Sequence, residues 1–219
     1  MKTRTLVIIG LACLVAGPIF AANGLSVPAN GDCSMNGTNY GLEVHLDPGD
    51  TQIVFVEDQT PADETVYRAS FWFNPNAISM GATQRFPIFL VRHSSFQNVL
   101  RLQLHRNAAN NKYRLRLQVL KNNGDWANAR EFDATGAFFL PIGDGSVERL
   151  VTVEVVFGDN ATSQIALTAN GLTFTKTGYF SDNWSVDHVR MGATRNLGSG
   201  TYSGDMCFDE FESFRTLAP

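Results

Sequence analysis

A two-residue alternation of polarity recurs along this chain. Tyr67 to Phe73, Leu100 to His105 and Arg114 to Val119 each place apolar side chains on one side and polar ones on the other. That period belongs to strands with one buried face. Repeated between breaks rich in Asn, Gly and Asp, it predicts two antiparallel sheets packed on a shared core, an all-β sandwich.

Strands are predicted near 41–46, 51–57, 65–73, 86–92, 98–105, 112–120, 127–133, 149–158, 163–169, 172–176, 185–192 and 204–214. The breaks carry turn chemistry, as in Asp47-Pro48-Gly49-Asp50, Asn122-Asn123-Gly124-Asp125 and Asn170-Gly171. Asn-Gly between two strand runs calls for a type I′ hairpin joining 163–169 to 172–176. Helix is almost absent; one turn is expected between Asn76 and Gly81.

The first residues read as an export address. Lys2 and Arg4 precede an apolar run from Leu6 to Val15, and Pro18 precedes the small pair Ala21-Ala22. Residues 1–21 are therefore expected to be a signal peptide, and 22–219 a single secreted or periplasmic domain with no transmembrane segment. Cys13 leaves a lipoprotein signal as the alternative. Removing this segment leaves fifteen basic against twenty-one acidic residues, a net charge of −6. So acidic a chain is a poor nucleic-acid binder.

Two cysteines remain after processing, Cys33 and Cys207. In an oxidising compartment they have one possible pairing. Such a bond would staple the chain ends and contribute on the order of 4 to 5 kcal/mol in the chain-entropy model. The alternative, a zinc site, lacks any Cys-x-x-Cys or ordered His spacing.

Several segments together resemble a known superfamily. They are Pro61 to Arg68 leading into Phe71-Trp72-Phe73-Asn74-Pro75, Ala169-Asn170-Gly171 before a strand, Val189-Arg190-Met191-Gly192, and Cys207 to Ser213. The pattern is similar to bacterial concanavalin A-like lectin/glucanase domains, the laminin-G-like jelly rolls, over roughly residues 40–215. The resemblance implies a jelly-roll sandwich. It does not choose among lectins, glycan-binding modules, glycosidases, lyases and adhesive modules.

The laminarinase-type Glu-x-Asp-x-x-Glu strand is missing. Its nearest counterpart is Asp209-Glu210-Phe211-Glu212, where alternation would put Glu210 and Glu212 on one face about 6.6 to 7 Å apart. A terminal strand usually holds such a fold together, so these carboxylates read as structural. His45, His93, His105 and His188 show neither metal nor triad spacing. The expectation is consequently a non-catalytic module, with a glycan-cleaving enzyme and an adhesive protein-binding module as alternatives.

Binding is expected on a polar sheet face. Arg68, Trp72, Arg101, Gln103, His105, Arg114, Arg116 and Gln118 would project to one side, with Trp126 at a rim. An aromatic ring suits the C–H face of a sugar, and planar donors suit its hydroxyls or carboxylates. The expected partner is therefore a polysaccharide or cell-surface glycan. No metal site or cofactor is expected. Related domains often hold calcium, for which Asp47, Asp50, Asp182 and Asn183 are the weak candidates.

Overall fold

In the computed structural model the alternating runs form strands whose apolar faces meet. The structure describes residues 22–28, 33–76, 78–81, 84–94, 96–107, 110, 112–129, 140–195, 197 and 202–217. The expected signal peptide, residues 1–21, lies outside the described residues, as does Cys13 with it.

Sheet I contains β1 (Gly24–Ser26), β2 (Leu42–Leu46), β14 (Gly204–Phe214), β4 (Val66–Asn74), β10 (Arg149–Val156), β11 (Gln164–Ala169) and β12 (Leu172–Thr177), in that spatial order. Sheet II runs β3 (Val54–Asp58), β13 (His188–Ala193), β5 (Arg85–Arg92), β6 (Asn98–Asn107), β7 (Lys112–Leu120), β8 (Trp126–Asn128), and β9 (Leu140–Gly143) also pairs with β7. All the pairings are antiparallel. The all-β jelly-roll sandwich is thus the observed fold.

The core follows from strand parity. Tyr67, Ala69, Phe71 and Phe73 of β4 are fully buried, as are Leu100, Leu102 and Leu104 of β6. Phe71 stacks on Phe89 across the sheets at 5.6 Å between ring centroids. Phe208 joins the same aromatic layer, 5.0 Å from Phe73. The intervening polar residues therefore face outward on two opposite sides of the sandwich.

Turn chemistry fixes register. The hairpin between β11 and β12 closes on Asn170 (φ 52°) and Gly171 (φ 70°), the two positive φ values that a type I′ turn requires. Gly192 (φ 128°) has a different reason to be glycine: a Cβ there would sit 2.5 Å from the Val54 carbonyl oxygen of neighbouring β3. The Asn76–Gly81 region holds a turn, with Ile78 N–H donating to the Pro75 carbonyl, and a bridge from Ser79 to Ser203, but no helix. The expected strand at 127–133 is observed as β8 ending at Asn128; residues 130–133 lie outside the described ones.

Cys33 and Cys207 form the disulfide, with Cα atoms 5.0 Å apart across a sequence separation of 174. Both half-cystines are fully buried, packed with Met35 and Trp72 on the outer side of sheet I. The last strand pairs with β2, so the chain ends do meet in one sheet.

His45 sits in the middle of β1, β2 and β14. Its Nδ1 lies 2.5 Å from Asp205 Oδ1 and its Nε2 3.3 Å from Asp47 Oδ1. The Asp205 hydrogen bond raises its pKa above 6.5, against a smaller opposing effect of burial, and Asp47 adds to the rise. A folded-state pKa above the unfolded value contributes stability that is complete below pH 6.5 and fades as pH rises through the folded pKa. The side chain is 45 % exposed, which keeps the contribution small. His45→Gln should therefore lower the urea midpoint at about pH 5.5 and much less at about pH 8.5. An equal loss at both values would show that the charge is irrelevant.

Candidate functional site

The outer face of sheet II collects cations. Cα pairing sets Arg85, His105 and Arg114 in one row, Gln103 and Arg116 in the next, and Glu57, Arg190, Leu90, Arg101, Gln118 and Asn128 in a third. Arg92 and His188 follow at one end. The one carboxylate on this face of the described strands is Glu57, and Arg190 Nε holds it at 2.6 Å. On an acidic chain this is a local reversal of charge.

The arginines are held in place. Arg101 Nε donates to Gln118 Oε1 at 2.8 Å, and its guanidinium lies 4.0 Å from the centre of the Trp126 ring. Gln118 Nε2 and Arg116 Nε both donate to Asn128 Oδ1, at 2.9 and 2.8 Å. Burial brings the Arg101 pKa down to about 10, and repulsion from Arg195, Arg116 and Arg85 adds to the effect. Burial likewise lowers Arg114 and Arg116. Arg101 stays cationic at neutral pH, and its repulsion from the neighbouring arginines is relieved when an anion arrives.

His105 is 5 % exposed in the middle of this set. Arg114 Nε donates to His105 Nδ1 at 3.0 Å. A guanidinium has only protons to give, so Nδ1 accepts and the imidazole proton belongs on Nε2. Gln103, next to it in alternation, is 6 % exposed, and its Oε1 is buried without a hydrogen-bond partner among the described residues. Leaving an amide oxygen unpaired costs about 1–3 kcal/mol, a cost that active and binding sites commonly retain.

Of the residues singled out in the sequence, Arg101, Gln103, His105, Arg114, Arg116, Gln118 and Trp126 come together here. Arg68 and Trp72 do not. They project from the outer side of sheet I, on the far side of the core, because β4 pairs with β10 and β14 and not with β5 or β6. Arg68 is 3.7 Å from Glu154 and covers the Phe214 ring, while Trp72 packs on the disulfide. The expectation that Arg68 and Trp72 share a face with Arg101, Gln103, His105, Arg114, Arg116 and Gln118 is corrected accordingly. Sequence reasoning missed Arg85 and Asn128, which parity within β5 and β8 points to, and the Glu57–Arg190 pair, which depends on a non-local strand pairing.

The Glu210/Glu212 geometry also changes. Asp209 pairs with Trp72 and Glu212 with Ser70, so one extra residue bulges from β14 and Glu210 takes φ 48°. Glu210 instead accepts a hydrogen bond from Asn36 Nδ2 at 2.7 Å, on the sheet opposite the arginines.

The calcium candidates occupy two separate loops. Asp50 accepts from the backbone of Asn23 and Gln52, and Asp182 accepts from Asn122. Asp63, His93 and Asp187 have ligand atoms within 4.8 Å of one another, a convergence that the sequence spacing did not reveal. There Asp187 already accepts from Asp63 N–H at 2.9 Å, and His93 Nδ1 lies 2.7 Å from Ser185 Oγ. Among the described residues no helix is long and apolar enough to cross a membrane.

No family model matches the chain, and no curated protein matches it. Solved structures do. Alginate lyase Aly36B, bound to an alginate trisaccharide, aligns with a TM-score of 0.54 and 12 % identity over 78 % of this chain and 82 % of its own. An endo-β-1,4-glucuronan lyase from the fungus Trichoderma reesei aligns with a TM-score of 0.52 and 12 % identity over 86 % of each chain. These likenesses show a jelly-roll sandwich, and both proteins are named as polysaccharide lyases. The expectation of a non-catalytic module is corrected by the same finding: it rested on a missing pair of catalytic glutamates, and lyases populate this fold.

Proposed function

We propose that the outer face of sheet II is the binding groove of a polysaccharide lyase that cleaves a uronate-containing polymer. The observation that carries the reading is the row of arginines around a buried imidazole, on an otherwise acidic chain. The lyase names of proteins with this architecture support it. An expected export signal is in keeping with a polymeric substrate outside the cytoplasm.

The chemistry such a groove can assist is β-elimination. A uronate carries a C5 proton next to its carboxylate, and removing it places charge on the carboxylate oxygens. The C4–O4 bond of the same sugar then breaks as the C4=C5 bond forms, and O4 leaves as the C1 hydroxyl of the neighbouring sugar, completed by that proton or one from water. Fixed donors aimed at those oxygens lower the barrier most. Arg101 and Arg116 are assigned to the carboxylates, and the unpaired Gln103 oxygen to a substrate hydroxyl. His105, with its proton on Nε2, is assigned as a neutral donor to the oxygen where charge builds. Acting as the base would require exchange of its Arg114 hydrogen bond for a substrate contact.

The test is incubation of the mature protein with alginate, glucuronan and a neutral glucan, following the ultraviolet absorbance of unsaturated uronate ends. Absorbance should grow with an acidic polymer only. The rate should fall steeply as salt rises, since the polymer's charge is neutralised by arginines. No unsaturated product from any uronate polymer would sink the proposal.

A further inference from the structure

Beside that face, the edge of the sandwich has an opening of its own. β8 and β12 are the edge strands of the two sheets, and between them lies a cleft of about 650 Å³. Trp126, Asn128, Asn160, Lys176, Tyr179 and Phe180 are among its walls. Its volume falls in the range of small-molecule sites. Hydrogen bonds join its two sides: Asn122 N–H donates to the Phe180 carbonyl at 2.9 Å, and Asn122 Nδ2 to Asp182 Oδ1 at 2.6 Å.

The lining has the chemistry of a sugar site. Phe180 is 57 % exposed, and the half-buried Trp126 offers a second ring. Side-chain amides supply both donors and acceptors for hydroxyls. Lys176 brings positive charge, Lys121 is paired with Asp125 at 3.4 Å, and no carboxylate lines the cleft among the described residues. Tyr179 is 3 % exposed, and its hydroxyl is buried with no hydrogen-bond partner among the described residues. Two residues join cleft to groove: Trp126 lies under Arg101, and Asn128 accepts from Arg116 and Gln118.

We infer that this edge cleft is a distal subsite that holds sugars of the same acidic polysaccharide beyond the cleavage point. The inference rests on the lyase reading of the groove. A subsite of this kind is filled by a long chain and left empty by a short one, so it makes the enzyme prefer polymer.

Phe180→Ala and Asn160→Ala, both at exposed positions, test it. With the uronate polymer that the protein cleaves, each should raise KM about tenfold, the loss of about 1.4 kcal/mol of binding. KM for a trisaccharide of the same uronate and kcat for both substrates should stay as in the parent. Equal shifts for trisaccharide and polymer, or none for either, would overturn the subsite while leaving the lyase reading intact. Should the parent cleave no polymer, the lyase reading fails. The cleft is then judged by gel retardation in alginate and glucuronan, where identical mobility of parent and Phe180→Ala overturns it.

Discussion

His105→Gln is expected to lower kcat on a uronate polymer by about 10²–10³-fold, the usual loss when a fixed donor to developing charge is removed. Glutamine keeps a polar side chain of similar length in a buried position, so the melting temperature should change by only a few degrees. The arginines around it should respond differently. Arg101→Ala removes a contact to substrate charge that forms before the chemistry, and is expected to raise KM more than it lowers kcat. Trp72→Ala supplies the contrast. It lies on the other side of the core against the disulfide, and should leave both constants unchanged. If Trp72→Ala lowered turnover and His105→Gln did not, the site would have been assigned to the wrong sheet.

The reversal of charge in the groove has a measurable consequence for stability as well. Arg101 is disfavoured by burial first and by Arg195, Arg116 and Arg85 after that. Any polyanion bound there relieves the repulsion, and a ligand that binds only the folded state raises its stability.

Alternation made β4, β6 and β7 legible at once, because each spans nine or ten residues and buries one face completely. It could not reveal β1 or β9, which have three and four residues and too little length to show a period. Parity also says which residues share a side of a strand, and so correctly grouped Gln103 with His105 and Arg114 with Arg116. It does not say which sheet the strand joins. The link from β4 to β5 crosses between the sheets, and this carried Arg68 and Trp72 away from the groove. The bulge at Glu210 was hidden for a related reason, since a bulge exists only in the register between two strands. Alternation therefore could not place Glu210 relative to Glu212. The donors and the imidazole on which the proposed elimination depends were already visible on β6 and β7.

The disulfide yields the largest expected effect on folding. It closes a separation of 174 residues, and loss of a native disulfide typically costs about 2–5 kcal/mol. At about 2–4 °C per kcal/mol for a chain of this size, Cys33→Ala/Cys207→Ala should melt about 4–20 °C below the parent. The parent in reductant should approach the same value. The bond lies with Met35 and Trp72 on the outer side of sheet I, whereas the groove faces out from sheet II. Turnover per folded molecule at 25 °C should therefore be preserved. A melting temperature within about 2 °C of the parent would mean that the pairing of β14 with β2 and β4 already holds the chain ends without it. A normal melt with lost turnover would instead couple the two faces through the core, where Phe71 and Phe211 of sheet I both contact Phe89 of sheet II.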